Sequence, residues 1–136
     1  MRLLVDTSVW SLAFRKAELS EADKKVVARL TKAIRDLELE IIGPIRQEIL
    51  SGIKDGEKFE ELKVKLAVFK DLAIETPSYE LAAEYYNTCR SHGIQGSHID
   101  YLICAVAVQN KLKIFTLDSD FEHYRKHIPI KIEKIA

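Results

Sequence analysis

Five acidic side chains in this sequence stand directly after strand-like runs or near the starts of helix-like segments. They are Asp6, Glu48, Asp100, Asp118 and Asp120. In an open α/β sheet, ligands bind outside the carboxyl ends of the strands, so these carboxylates are expected to meet at one edge. Carboxylates held close together repel each other and destabilise the fold unless a cation compensates their charge. Oxygen ligands favour Mg²⁺ or Mn²⁺, so the pattern predicts a divalent-metal site that can activate water against a phosphodiester.

Each of these acids also has a simpler interpretation. Asp6 and Asp118 suit helix N-caps, a role worth about 1 kcal/mol each. Ser97 and Asp100 have the spacing of a capping box, and Glu48 can be a solvated helix residue. Four independent caps need not fall at one edge of a sheet, so the joint placement favours the metal site.

Short apolar runs alternate with longer periodic segments along the chain. The strand-like runs are 3–5, 40–42, 72–74, 113–116 and 130–135. The helix-like segments are 20–37, 43–52, 57–70, 78–91, 97–110 and a short one from Asp118 onward. Strands that alternate with helices indicate right-handed βαβ units around a parallel sheet, which predicts an α/β fold. With 136 residues and no internal repeat, the chain is expected to form a single domain, 1–136.

The composition excludes several classes of protein. Lys+Arg and Asp+Glu both number 21, so the net charge is zero and no global basic field points to nucleic acid. A nucleic-acid partner would need a local basic patch for phosphate contacts. The candidates are Arg15 with Lys16, or Arg46. No apolar run approaches the roughly 20 residues of a membrane span, and the first ten residues do not match a secretory signal. Cys89 and Cys104 form no zinc or CxxC pattern, which is typical of buried thiols in a reducing cytoplasm.

Four motifs in order along the chain resemble those of the PIN-domain ribonucleases, specifically the VapC-type toxins of toxin–antitoxin pairs. The motifs are DTSVW, PIRQEILSG, HIDYLICAVA and FTLDSDF. Each is short, but the ordered set covers essentially the whole chain. The resemblance implies a PIN-like, three-layer α/β/α sandwich with a mainly parallel central sheet. It also implies Mg²⁺- or Mn²⁺-dependent hydrolysis of RNA by in-line attack of a metal-activated water.

The resemblance assigns roles residue by residue. The four acids of the family fall on Asp6, Glu48, Asp100 and Asp118, as catalytic residues and metal ligands. Asp120 matches a further acid of some members, and it can equally face solvent in the first turn of a helix. Ser8 and Thr116 match small hydroxyl positions that help orient the acids or a water at the metal. His98 lies near Asp100, but the family requires no histidine there, so a surface or loop role is expected for it.

The resemblance also implies partners. VapC-type proteins cleave RNA (the possible targets being tRNA, rRNA or mRNA), commonly form homodimers, and are silenced by a cognate antitoxin. The patch of Trp10, Leu12 and Phe14 is a candidate antitoxin contact, or else the packing face of the first helix. Two other Mg²⁺-dependent classes, dehalogenase-type phosphatases and receiver domains, fit poorly because Asp6 is the only acid that ends the first strand. A non-catalytic PIN-fold RNA- or protein-binding module remains the alternative, although such a module would be expected to lack one or more of the four acids.

Overall fold

The computed structural model describes residues 1–15 and 17–135, and its centre is a short parallel sheet. The strands are β1 (Leu3–Val5), β2 (Leu39–Glu40) and β3 (Lys113–Phe115), in the order β2-β1-β3. Both neighbours run parallel to β1, with Leu3 opposite Leu39 on one side and Lys113 on the other. All three residues of β1 are buried, because a central parallel strand is covered on both faces.

The described residues form seven helices, which complete the three-layer α/β/α architecture predicted from the sequence. They are α1 (Thr7–Ala13), α2 (Glu21–Arg35), α3 (Gly43–Leu50), α4 (Gly56–Leu66), α5 (Thr76–Ser91), α6 (His98–Gln109) and α7 (Asp120–Tyr124). Helix α1, predicted only as an apolar patch, begins directly after Asp6. Within the described ranges, no helix has the length and apolarity that a membrane crossing needs.

Two of the five predicted strands do not form, and the structure has only a single bridge in or directly before each of these runs. They are 72–74 and 130–135. Asp71 bridges Ile41, and Ile132 bridges Ile114, so the sheet is extended by one residue on each side. Both segments run alongside the sheet too briefly to build a ladder of hydrogen bonds. The parallel direction predicted for these two segments is therefore correct. The extent of their hydrogen-bonded pairing with the sheet was overestimated.

Helix α6 is the most deeply buried of the seven helices in the described residues. Its residues 101–107 are all buried, so the helix has no solvent-facing stripe over this length. Such a helix lies inside the domain rather than on its surface. Asp100 immediately precedes the buried stretch, so the rigid position of α6 fixes where this carboxylate enters the site.

The apolar patch on α1 belongs to the core. Trp10 and Leu12 are each only 2% exposed, and Phe14 is half-buried. The Trp10 ring lies 6.0 Å from Phe14 and 5.4 Å from Phe69, measured between ring centroids. The suggested antitoxin contact at Trp10 and Leu12 is therefore wrong, and the core-packing alternative is correct.

Both cysteines are buried and free, as the sequence predicted. Burial raises the pKa of Cys89 and of Cys104. A thiol with a raised pKa carries little thiolate at neutral pH, so both side chains act as small apolar residues.

Arg46, one of the candidate phosphate contacts, is used inside the fold. Its guanidinium forms an ion pair with Asp71 at 2.9 Å and donates to the backbone oxygens of Leu66 and Phe69. Leu66 ends α4 and Phe69 lies three residues beyond it, in the region where helix oxygens have no partner further along the helix. Arg46 therefore ties α3 to the end of α4. Arg15 is exposed, and Lys16 lies outside the described residues.

We expect Arg46→Ala to lower the free energy of unfolding by about 1–3 kcal/mol, because two carbonyls and a carboxylate lose a charged donor. Urea denaturation measures this change. Arg35→Ala is the matched control, since the Arg35 side chain is 69% exposed and its ion pair with Asp36 is long, at 3.8 Å. The control should change stability by less than about 0.5 kcal/mol, and equal losses in the two variants would contradict the role of Arg46.

Candidate metal centre

Asp6 takes the capping role that the sequence allowed, at the sheet edge where a metal site is predicted. It lies between β1 and α1 and is the N-cap of α1, where its carboxylate accepts the backbone N–H of Ser8 at 3.4 Å. Its own N–H donates to the carbonyl of Phe115 at the end of β3. The side chain is buried, with only 7% exposed. The cap geometry thus holds the carboxylate at the carboxyl ends of two neighbouring strands.

Two hydroxyl groups fix the Asp6 carboxylate. Ser8 Oγ and Thr116 Oγ1 each donate to Asp6 Oδ2 at 2.8 Å. The same two oxygens accept the backbone N–H groups of Leu117 and Asp118, at 2.9 and 3.0 Å. Among the described residues, the side-chain hydrogen bonds to Asp6 all end on Oδ2, which leaves Oδ1 for another partner. The network also connects Asp6 to the segment that carries Asp118.

Three carboxylates come together on the other side of the site. Asp100, Asp118 and Asp120 each offer one oxygen, and these oxygens lie within 4.8 Å of one another. Asp118 Oδ1 also accepts the N–H of Asp120 at 2.9 Å, which turns the chain into α7. Helix α7 has Ser119 as its N-cap, so Asp118 is not the cap residue that its position allowed. Asp120 lies in this group rather than apart from it.

Glu48 approaches from α3 and is exposed. Thr7 Oγ1 donates to its Oε1 at 3.1 Å. Partial burial raises the pKa of Glu48; the Thr7 hydrogen bond opposes this shift, and the negative charges of Asp6 and Asp100 add to it. The neighbouring Arg46 points away to Asp71. Glu48 therefore shares the electrostatic environment of the other acids instead of forming a surface ion pair.

The Asp100 carboxylate lies at the centre of the mutual repulsion. Burial raises its pKa, the hydroxyls of Tyr124 and Ser97 lower it in part, and the charges of Asp118 and Asp6 raise it further. Ser97 is the N-cap of α6 and accepts the N–H of Asp100 at 3.0 Å, which is one half of the predicted capping box. The Asp100 carboxylate does not complete the box, because it accepts the hydroxyl of Tyr124 at 2.8 Å.

The residues present fit a hard divalent cation. The donor set consists only of carboxylate oxygens, which suit Mg²⁺ or Mn²⁺. Within residues 1–15 and 17–135, no lysine or arginine forms an ion pair with any of the five acids. Among the described residues, their repulsion is therefore not offset by any positive side chain, and a bound cation would offset it.

Sequence reasoning missed two residues that support the site. Tyr124 donates to Asp100, and Gly96 leaves room for the Tyr124 hydroxyl, which would lie 2.6 Å from a β-carbon at position 96. The only signal was the glycine-containing loop before α6, which the sequence does not connect to Tyr124. His98 is exposed and stacks on Tyr86 at 4.9 Å, in agreement with the surface role expected for it.

The chain belongs to the PIN-domain family, because the PIN domain model matches residues 3–127. No curated protein sequence matches the chain significantly. Several solved structures share its architecture. FitAcB from Neisseria gonorrhoeae superposes with a TM-score of 0.75 at 22% identity, covering 97% of this chain and 96% of that one. VapBC2 from Rickettsia felis, bound to a promoter DNA fragment, gives 0.69 at 14% identity, covering 98% of each chain.

A toxin–antitoxin complex from Klebsiella pneumoniae is also similar. It has a TM-score of 0.60 and 19% identity, covering 88% of this chain and 89% of that one. Identities this low demonstrate a shared fold, and the family membership rests on the domain match. The PIN-domain part of the resemblance seen in the sequence is therefore confirmed.

We expect Asp100→Asn to raise the melting temperature of the metal-free protein at pH 7 by about 2–4 °C. The pKa of Asp100 is raised in the fold, so the stability that its carboxyl contributes is present below the unfolded pKa of about 4 and is lost as the pH rises through the folded value. The difference between variant and wild type should accordingly be small near pH 4 and grow toward neutrality.

Thermal melts followed by circular dichroism in EDTA, from pH 4 to pH 7.5, measure this effect. Glu60→Gln, on the exposed surface of α4, is the control for removal of a negative charge outside the site. A variant that is less stable than wild type at pH 7, or a difference that does not change with pH, would rule out strain at Asp100.

Proposed function

We propose that this PIN-domain protein is a Mg²⁺- or Mn²⁺-dependent endoribonuclease. The observation that carries the proposal is the group of carboxylate oxygens from Asp100, Asp118 and Asp120, within 4.8 Å of one another. Asp6 and Glu48 complete the acidic surroundings at the strand ends. Metal-dependent nuclease activity is the general property of the PIN family, which supports the same conclusion.

The five acids would hold the cation, and the other residues would keep them in place. Bound Mg²⁺ or Mn²⁺ supplies a Lewis acid that lowers the pKa of water and offsets negative charge on a phosphodiester. Ser8 and Thr116 hold Asp6 through Oδ2 and leave Oδ1 without a side-chain hydrogen bond from the described residues. Thr7 holds Glu48. The catalytic set proposed is Asp6, Glu48, Asp100 and Asp118, with Asp120 as a further ligand.

We further propose that the chain is the toxin of a toxin–antitoxin pair. Support comes from similar solved structures, among them FitAB bound to a DNA fragment, VapBC2 on promoter DNA and a toxin–antitoxin complex. The partners proposed are a cognate antitoxin, a second copy of this chain in a homodimer, and an RNA substrate among tRNA, rRNA or mRNA. A cytoplasmic location and a single domain over residues 1–136 belong to the same proposal.

Purified protein should cleave RNA in the presence of Mn²⁺ or Mg²⁺ and not in EDTA. Asp118→Asn should reduce the rate by at least about 100-fold, since even residues that merely orient ligands typically cost 10–100-fold. The measurement is cleavage of tRNA, rRNA and mRNA substrates, with the cut sites mapped. Asp55→Asn is the control, because Asp55 caps α4 and is none of the five acids of the site.

Activity that survives EDTA would contradict metal dependence. Binding of RNA without cleavage, under all metal conditions, would favour the non-catalytic PIN-fold module instead.

The toxin assignment predicts a small DNA-binding protein encoded beside this chain. Co-expression of the two should give a complex that co-elutes on size-exclusion chromatography and has at least about 10-fold lower ribonuclease activity, as expected when a partner in excess over its Kd occupies the enzyme. A complex that retains full ribonuclease activity, or the absence of any complex, would contradict the toxin assignment.

A further inference from the structure

We infer that Tyr124 is a positioning residue of the metal centre, and that Gly96 is the residue that makes its position possible. The inference rests on the proposed metal centre and concerns how one ligand of that centre is held. Tyr124 does not contribute an oxygen to the acidic group. It acts on Asp100, whose carboxylate it holds by a hydrogen bond from the phenol hydroxyl at 2.8 Å.

The Tyr124 side chain is more deeply buried than the Asp100 carboxylate to which it donates. Tyr124 is fully buried, and its ring packs against Tyr101 and Phe121, at centroid distances of 4.9 and 5.2 Å. Tyr101 and Phe121 are themselves buried, so the ring has little freedom to rotate away. The hydroxyl therefore presents a hydrogen at a defined point, and Asp100 Oδ2 occupies that point.

The hydrogen bond joins the two helices that carry the acidic group. Asp120 begins α7 and Tyr124 ends it, while Asp100 lies in the first turn of α6. One short helix thus offers a carboxylate at its start and, one turn later, the donor that holds the carboxylate of the neighbouring helix. Tyr124 donates to Oδ2 of Asp100, and no side-chain hydrogen bond of the described residues ends on Oδ1.

Gly96 is required by space rather than by backbone conformation. A β-carbon at this position would lie 2.6 Å from the Tyr124 hydroxyl and 2.8 Å from the Tyr101 ring. Both distances are shorter than van der Waals contact allows, so any side chain at position 96 must push the tyrosines away. The loop before α6 passes directly over the Tyr124 hydroxyl, and the glycine lets it do so.

Hydrogen bonds of this kind set metal affinity, because they orient a ligand before the metal binds. Loss of such a partner typically costs 10–100-fold in metal affinity or activity. A role in the fold alone would instead change stability and leave the affinity of correctly folded protein unaltered. The two roles can therefore be separated by measuring metal binding and metal-free stability on the same variants.

The experiment is Mn²⁺ binding to the full chain, measured from the electron paramagnetic resonance signal of free Mn²⁺, with melting temperatures recorded in EDTA. Tyr124→Phe keeps the ring and removes only the hydroxyl, and it should bind Mn²⁺ about 10-fold more weakly than wild type. Tyr101→Phe is the matched control. It removes a buried hydroxyl from the same ring cluster, and within the described part of the chain that hydroxyl has no hydrogen-bond partner. Its Mn²⁺ affinity should stay within about twofold of wild type.

Gly96→Ala provides a second route to the same result. It keeps the Tyr124 hydroxyl but displaces it, so it should also weaken Mn²⁺ binding by about 10-fold. The inference requires that Mn²⁺ affinity falls in both variants by more than their change in melting temperature in EDTA accounts for.

Three results would overturn the inference, and they differ in whether the proposed metal centre is refuted as well. Equal Mn²⁺ affinity in wild type and Tyr124→Phe would refute the role of Tyr124 while leaving the metal centre intact. Equal losses in Tyr124→Phe and Tyr101→Phe would show a packing effect of the ring cluster. A wild-type protein that binds no Mn²⁺ would refute the metal centre itself, and with it the proposed nuclease.

Discussion

The repulsion between carboxylates at the strand ends is the constraint on which the rest of the structure depends. Asp100, Asp118 and Asp120 converge there, Asp6 and Glu48 add their charges, and no lysine or arginine of the described residues pairs with any of the five. Left to themselves, these side chains would turn outward into water. They are kept in place by the buried strand β1, the buried helix α6 and the hydroxyls that donate to the carboxylates. The apolar core therefore stabilises an arrangement that the acids alone would oppose.

Much of this site could be predicted from the sequence, because it follows from topology. Asp6 and Asp118 come directly after strand-like runs, and parallel strands bring such positions to one edge. The hydroxyls at Ser8 and Thr116 could be assigned only through the family resemblance, and the structure places both on Asp6. Asp120 was left open, and only the turn at Asp118 shows that it lies with the other acids.

The remainder could not be predicted, because it depends on packing between distant segments. Tyr124 and Asp100 are 24 residues apart, and no periodicity relates them. Arg46 bonds the carbonyl oxygens at the end of another helix, which have no sequence signature. Trp10 illustrates a different limit, because an apolar helical face has the same pattern whether it meets the core or a partner. The segments 72–74 and 130–135 carry strand-like composition, but pairing depends on how long they stay beside the sheet.

The link between Asp6 and Thr116 has a consequence for the synthesis of the protein. These residues are 110 positions apart, and the N–H of Asp6 also requires the carbonyl of Phe115. During translation the first acid leaves the ribosome long before the strand and hydroxyl that orient it, and contacts so far apart in sequence form late. An incomplete chain thus carries Asp6 without Thr116, and Asp100 without Tyr124, which donate to their carboxylates in the complete fold. The full set of contacts requires β3 beside β1 and α7 beside α6, so an N-terminal fragment that ends before these elements lacks them.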